Sequence, residues 1–172
     1  AWVEDPQVEL ARLTLAWHSP AAYTDGDAEM DLVAGVLSQG KTSRLYQRLV
    51  YQDRLAADVT VYQQSLSLGS LFRVDLTAAP GADLAQLEKA AWEEIRRLTG
   101  EGVTPEEVRR IVNGIESSSV ASLQSVAAMA DRFNAYQFAF GTPDGLERDL
   151  ARYRRAASQP ALVQEWAARV LK

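Results

Sequence analysis

Gly35-Val36-Leu37-Ser38-Gln39-Gly40-Lys41-Thr42-Ser43-Arg44-Leu45-Tyr46-Gln47-Arg48-Leu49-Val50 admits two incompatible readings. Its first eight residues match the phosphate-binding pattern G-x4-G-K-[ST], which alone implies a nucleotide hydrolase. A phosphate loop needs an apolar strand leading into the glycines and a helix starting at the lysine, so that free amides face the anion. The residues leading in here are helical in period instead. Met30, Leu32, Val33, Val36 and Leu37 share a face, and Thr24-Asp25-Gly26-Asp27 supplies capping groups before them. No apolar strand ending in Asp follows to hold magnesium. The stretch therefore reads as a helix, a bend at Gly40, and a second short helix capped by Ser43. Leu45, Tyr46, Leu49 and Val50 cluster on that helix at three- and four-residue spacing. Nucleotide binding at Gly35–Thr42 stays as the distant alternative.

On either side of this helical pair the period changes to two. Val8 to Trp17 alternates, predicting a strand that Ser19-Pro20 ends. Leu55 to Tyr62 places Ala57, Val59 and Val61 on one face, and Ser70 to Thr77 opposes Leu71, Arg73 and Asp75 to Phe72, Val74 and Leu76. With the loop Ser65-Leu66-Ser67-Leu68-Gly69 between them, these two strands predict an antiparallel hairpin. After the Pro80-Gly81 break a helix runs from about Asp83 to Leu98, its stripe being Leu84, Leu87, Ala91, Ile95 and Leu98. Gly100 and Gly102 end it. Thr104-Pro105-Glu106-Glu107 then has Thr at the N-cap, Pro at the first helical position and Glu107 placed for a capping box. That helix buries Val108, Ile111, Val112 and Ile115. Ser117-Ser118-Ser119 predicts a kink before a segment ending near Phe140. Thr142-Pro143-Asp144 predicts the cap of a helix through Leu146, Leu150 and Tyr153, and Gln159-Pro160 opens a last helix to Leu171. The order describes an α+β domain spanning 1–172, with a small, mainly antiparallel sheet, rather than alternating β-α-β units.

Composition narrows the function classes. With 47% hydrophobic and 24% charged residues the chain has the balance of a folded domain. A net charge of −5, with basic residues mixed among acids as in Glu93-Glu94-Ile95-Arg96-Arg97, leaves no basic stripe for nucleic acid. No run approaches the ~18 apolar residues of a membrane span. The absence of cysteine excludes thiolate metal sites and cysteine nucleophiles, and leaves cytoplasm and periplasm equally open. A start at Ala1 rather than Met predicts a fragment of a longer polypeptide.

Candidate chemistry is sparse. His18 is the one histidine, so a zinc site would need carboxylates for its remaining ligands, which is unusual for zinc. Asp25, Asp27, Glu29 and Asp31 alternate like a calcium loop, but its sixth position is Met30 rather than Gly and its twelfth is Val36 rather than Glu. Acids favoured by a helix N-terminus account for them. No G-x-S-x-G elbow accompanies the serines. Phe133, Tyr136, Phe138 and Phe140 read as core or a packing surface. No residue is assigned a catalytic or metal-binding role, and substrate-binding residues stay unassigned.

The stretch Leu37 to Val50 resembles the "iLg-G-x-S-S-R-L-y-x-x-L" segment of the insulinase, pitrilysin and mitochondrial processing peptidase family. That likeness also explains its phosphate-loop look. Trp17-His18-Ser19-Pro20, Asp27 to Leu37, Leu55-Ala56 and Gly102-Val103-Thr104-Pro105-Glu106-Glu107-Val108 match further family segments in order, so nearly the whole chain is covered. The resemblance implies a sheet covered on one face by helices, in a protein whose domains together enclose a peptide-binding chamber. Zinc belongs to one domain type, through an inverted His-x-x-Glu-His helix that is absent here, so this chain resembles the non-metal domain. Zinc is then expected in a partner domain, with peptide as substrate. An Arg and a Tyr that contact substrate in some family members correspond to Val50 and Ala57, which removes that contact. The rival implication is a degenerate scaffold serving assembly alone. The family's further apolar strand would follow the last helix; without it a sheet edge is left open to homo-oligomerisation.

Overall fold

The computed structural model describes residues 9–172. Val8, where the first predicted strand opens, lies outside them. Three strands, β1 (Arg12–Ser19), β2 (Ala56–Gln64) and β3 (Ser70–Ala78), form a sheet of order β1-β3-β2. Both pairings are antiparallel. The helices are α1 (Asp27–Ser38), α2 (Leu84–Glu101), α3 (Pro105–Ser122), α4 (Val126–Phe140), α5 (Leu146–Ser158) and α6 (Pro160–Val170). A π-helical segment, Tyr46–Gln52, stands where the second short helix is predicted. The α+β class and the β2–β3 hairpin follow the sequence reading.

Period-two patterning separates the two faces of the sheet. Phe72, Val74, Leu76 and Ala78 of β3 are buried with Ala56, Val59 and Val61 of β2. Leu13, Leu15 and Trp17 of β1 pack against the same core. Met30, Leu32, Val33, Val36 and Leu37 of α1, Leu45 and Leu49 of the π segment, and Leu87, Ala91, Ile95 and Leu98 of α2 complete it from one side. Trp17 sits edge-on to Trp92 of α2 at 5.6 Å, joining β1 to the helical layer. All helical core residues fall on this side, so among the described residues the opposite face of the sheet is bare.

Several local expectations give way to tertiary structure. Ala57 is exposed rather than core-facing, because a bulge between Ala56 and Asp58 inserts one residue and resets the alternation. Leu84, in the first turn of α2, is 39% exposed and outside the buried stripe. The three serines at 117–119 do not end the helix, which runs through them to Ser122. Ser118 Oγ donates to the carbonyls of Gly114 and Ile115 within α3, and the break comes later, at Leu123-Gln124-Ser125, where Ser125 caps α4. Thr142 does not cap α5: its hydroxyl accepts from Asp144 N at 3.3 Å in a local turn, and the helix begins at Leu146 after Gly145. The Thr104 capping box is present, with Glu107 N donating to Thr104 Oγ1 and Thr104 N to Glu107 Oε2.

Candidate functional site

The quoted stretch at 35–50 is a structural clamp. Gly35 lies inside α1, and a Cβ there would sit 2.6 Å from Ile111 Cγ2, so the glycine lets α1 and α3 approach closely. Ser38 Oγ donates to the Val61 carbonyl and accepts from Val61 N, pinning the end of α1 to β2. Gly40 makes the bend with φ of 80°. Ser43 does not cap by accepting from a helix amide; its hydroxyl donates to Gly40 O at 2.7 Å. Arg110 of α3 fills the outside of the bend, donating to Gln39 O and Thr42 Oγ1. Arg44 makes two bonds to the Glu107 carboxylate and one to Gly102 O. With Gly35 buried in a helix and the bend occupied by a guanidinium, nucleotide binding at Gly35–Thr42 is ruled out on geometry: no strand feeds these residues, α1 ends rather than begins beside them, and Gln39 O and Thr42 Oγ1 are already taken by Arg110. Gly35→Ala is expected to cost about 1–3 kcal/mol of stability by overpacking against Ile111. Chemical denaturation would read it.

The acids at 25–31 point in different directions. Asp27 is buried and accepts from Tyr23 N and Arg152 Nη1 on Oδ2, and from Gln63 Nε2 and Ser65 Oγ on Oδ1. Glu29 turns back to accept from Gly26 N. Asp31 accepts from Tyr153 OH at 2.7 Å, and burial pushes its carboxyl up to about 7. Asp25 is exposed, 3.4 Å from Arg155. Helix-start acids are thus half the account. Asp27 also ties the β1–α1 connection, β2, the hairpin loop and α5 together, a role set by Arg152, 125 positions away. Among the described residues no group of three or more His, Cys, Asp and Glu is placed to hold a metal ion.

His18 is exposed on the bare face of the sheet, paired with Leu71 of β3, whose other neighbour is Gln64 of β2. Neither can join a histidine in a zinc site, so these residues do not fit that metal. Val50 is partly buried against the core, and Ala57 sits at the bulge. Phe133 and Phe138 are exposed, whereas Tyr136 is buried with Phe140 stacked on it at 5.6 Å.

What the strands do present is a continuous polar surface. Across the three strands Ala16, Arg73 and Tyr62 form one row, and Thr14, Asp75 and Thr60 the next. Arg73 lies 5.8 Å from the Tyr62 ring centroid and reaches Asp75 at 3.1 Å, while Thr14 Oγ1 donates to Asp75 Oδ1 at 2.6 Å. These groups donate and accept at the surface of the sheet, and none of them is a nucleophile paired to a base. The alternation of β3 already separates Arg73 and Asp75 from the core; what sequence alone misses is that none of the described helices covers them.

Comparison with known proteins gives the same assignment. The family model described as the peptidase M16 inactive domain matches residues 2–115. An uncharacterized zinc protease of Streptomyces coelicolor is 25% identical over 146 residues, covering 85% of this chain and 32% of that protein. The chain therefore spans less than half the length of that curated relative. Among solved structures, a protease from Helicobacter pylori superposes with a TM-score of 0.86 at 21% identity, over 99% of this chain and 40% of that one. The peptidase M16 inactive domain from Pseudomonas fluorescens does so with 0.78 at 16% identity, over 96% of this chain and 38% of that one. With a sheet bare on one face, its phosphate-loop look-alike folded as a helical bend, and a family match over more than half its length, the chain belongs to the peptidase M16 inactive domain family.

Proposed function

We propose that residues 1–172 form one non-catalytic domain of a zinc metallopeptidase-like protein, which walls part of a peptide-binding chamber and supports a separate zinc-bearing domain. The observation that carries this reading is the bare face of the sheet. It is largely polar and carries paired donors and acceptors along its rows, which suits an extended chain of varied sequence better than a small molecule. Zinc-activated water belongs to the partner domain in this reading, because the residues here do not fit the metal. The curated relative's name, a zinc protease, supports the assignment of the whole protein.

Arg73→Glu in the assembled peptidase tests it. Losing a charge-assisted contact of about 1.5–3 kcal/mol is expected to raise KM for an unfolded peptide by about tenfold or more. The turnover number should stay within about twofold, as for a group that binds substrate and transition state equally. An unchanged KM, or a collapse of turnover alone, would count against the wall.

A further inference from the structure

A cavity of about 600 Å³ opens between α4, α5, the β1–α1 connection and the hairpin loop, and it shares no residue with the bare sheet face. That volume is in the range of small-ligand sites, about 300–1,000 Å³. One wall is aromatic. The Tyr23 and Phe140 rings meet edge to face at 4.9 Å, and Phe138, 82% exposed, stands at the cavity uncovered by the rest of the described chain. Of the residues of α4 only Tyr136 is buried, although most of the helix is apolar. Phe138 is thus the uncovered ring of this wall, while Tyr23 and Phe140 are part-buried, and an apolar side chain left open beside a cavity suits a bound apolar group.

The charges of the lining differ in availability. Arg152 is committed to Asp27 and Asp149, and Asp31 is held by Tyr153. Below about pH 7 Asp31 is protonated, and the remaining carboxylates, Asp27 and Asp149, are balanced by Arg148 and Arg152. Arg148 is the exception to this commitment: its guanidinium lies 4.4 Å over the Phe140 ring and makes no ion pair among the described residues. Ser67 of the hairpin loop adds a hydroxyl to the same lining. A cation with no ion pair among the described residues, stacked on a ring beside the open face of Phe138, matches a carboxylate attached to an apolar group.

We propose that this cavity binds a ligand with an apolar ring or branched chain next to a free carboxylate, as found at the C-terminal residue of a peptide or in a small aromatic acid. Arg148 and Ser67 take the carboxylate, and Tyr23, Phe138 and Phe140 take the apolar group. The test is a titration of the full chain at pH 6 with Ala-Ala-Phe, its C-terminal amide and 3-phenylpropionate, followed by amide NMR shifts. Saturable shifts are expected at residues 65–67 and 138–140, with the amide at least about tenfold weaker than the acid. Arg148→Ala should weaken the acid by a similar factor and leave the amide unchanged; Phe138→Ala should weaken both. Arg148 and Phe138 are exposed, so both variants keep the fold, and unaltered shifts elsewhere verify that. Tighter binding of the tripeptide than of 3-phenylpropionate assigns the site to chain ends, and equal binding assigns it to small acids. Equal affinity for acid and amide, no saturable shift, or an Arg148→Ala variant that binds as before would overturn the proposal.

Discussion

Replacing Arg152 with alanine is expected to lower the unfolding free energy by about 3–5 kcal/mol, the range for removing one partner of a buried ion pair. The Arg152 side chain is 14% exposed and joins Asp27, 4% exposed, to Asp149, 19% exposed. Burial opposes its charge, yet the bonds to Asp149 and Asp27 more than offset this and hold the guanidinium protonated more firmly than usual. Without it Asp27 keeps its bonds from Tyr23 N, Gln63 and Ser65 but has no countercharge. Since those partners belong to the β1–α1 connection, β2 and the hairpin loop, the loss spreads beyond α5. Arg152→Lys should recover only part of it, because an ammonium cannot span both carboxylates with a planar fork. Denaturant unfolding of the two variants measures the effect; an Arg152→Ala loss under about 1 kcal/mol would place the pair in the class of weak surface bridges.

A second large effect should appear in acid. Burial acts to raise the Glu107 carboxyl, but the bonds from Arg44 and from Thr104, with the Arg44 charge, outweigh it and lower the group from 4.5 to about 2. A carboxylate depressed in the folded state contributes stability above its unfolded value, and that contribution is lost as pH falls from about 4.5 toward 2. Allowing for the 23% exposure of the side chain, the contribution is about 2–3 kcal/mol. Glu107→Gln is therefore expected to cost that amount at pH 7 and to flatten the stability curve between about pH 5 and 2. The double replacement with Arg44→Ala should cost less than the sum of the single losses, since the two residues share one set of bonds. An acid limb identical to that of the native chain would show that the Arg44–Glu107 pair does not couple to folding.

Local signals were legible where the residues that decide a feature are neighbours in sequence. The Thr104 box needs only Thr104 and Glu107, and the hairpin only two alternating runs and a turn. The second use of Glu107, as the acceptor for Arg44, joins positions 63 apart and leaves no local trace. Asp27 is similar: its place at a helix start is readable, its partner Arg152 is not. The outward turn of Ala57 has no local signal either, because a bulge depends on the strand alongside. The place of Ser118 inside α3 leaves no local trace, because a hydroxyl that bonds within its own helix is indistinguishable in sequence from one that ends it. For the bare sheet face, strand alternation separates Arg73 and Asp75 from the core, but whether helices cover both faces or one is fixed only by tertiary packing.

The bare face can be questioned directly by placing a photo-crosslinking phenylalanine at Tyr62, on that face, or at Lys89, exposed on α2 in the helical layer, and irradiating the assembled peptidase with a bound unfolded peptide. A covalent peptide adduct at position 62 and none at position 89 is the predicted result. Adducts at position 89 with none at 62 would contradict it.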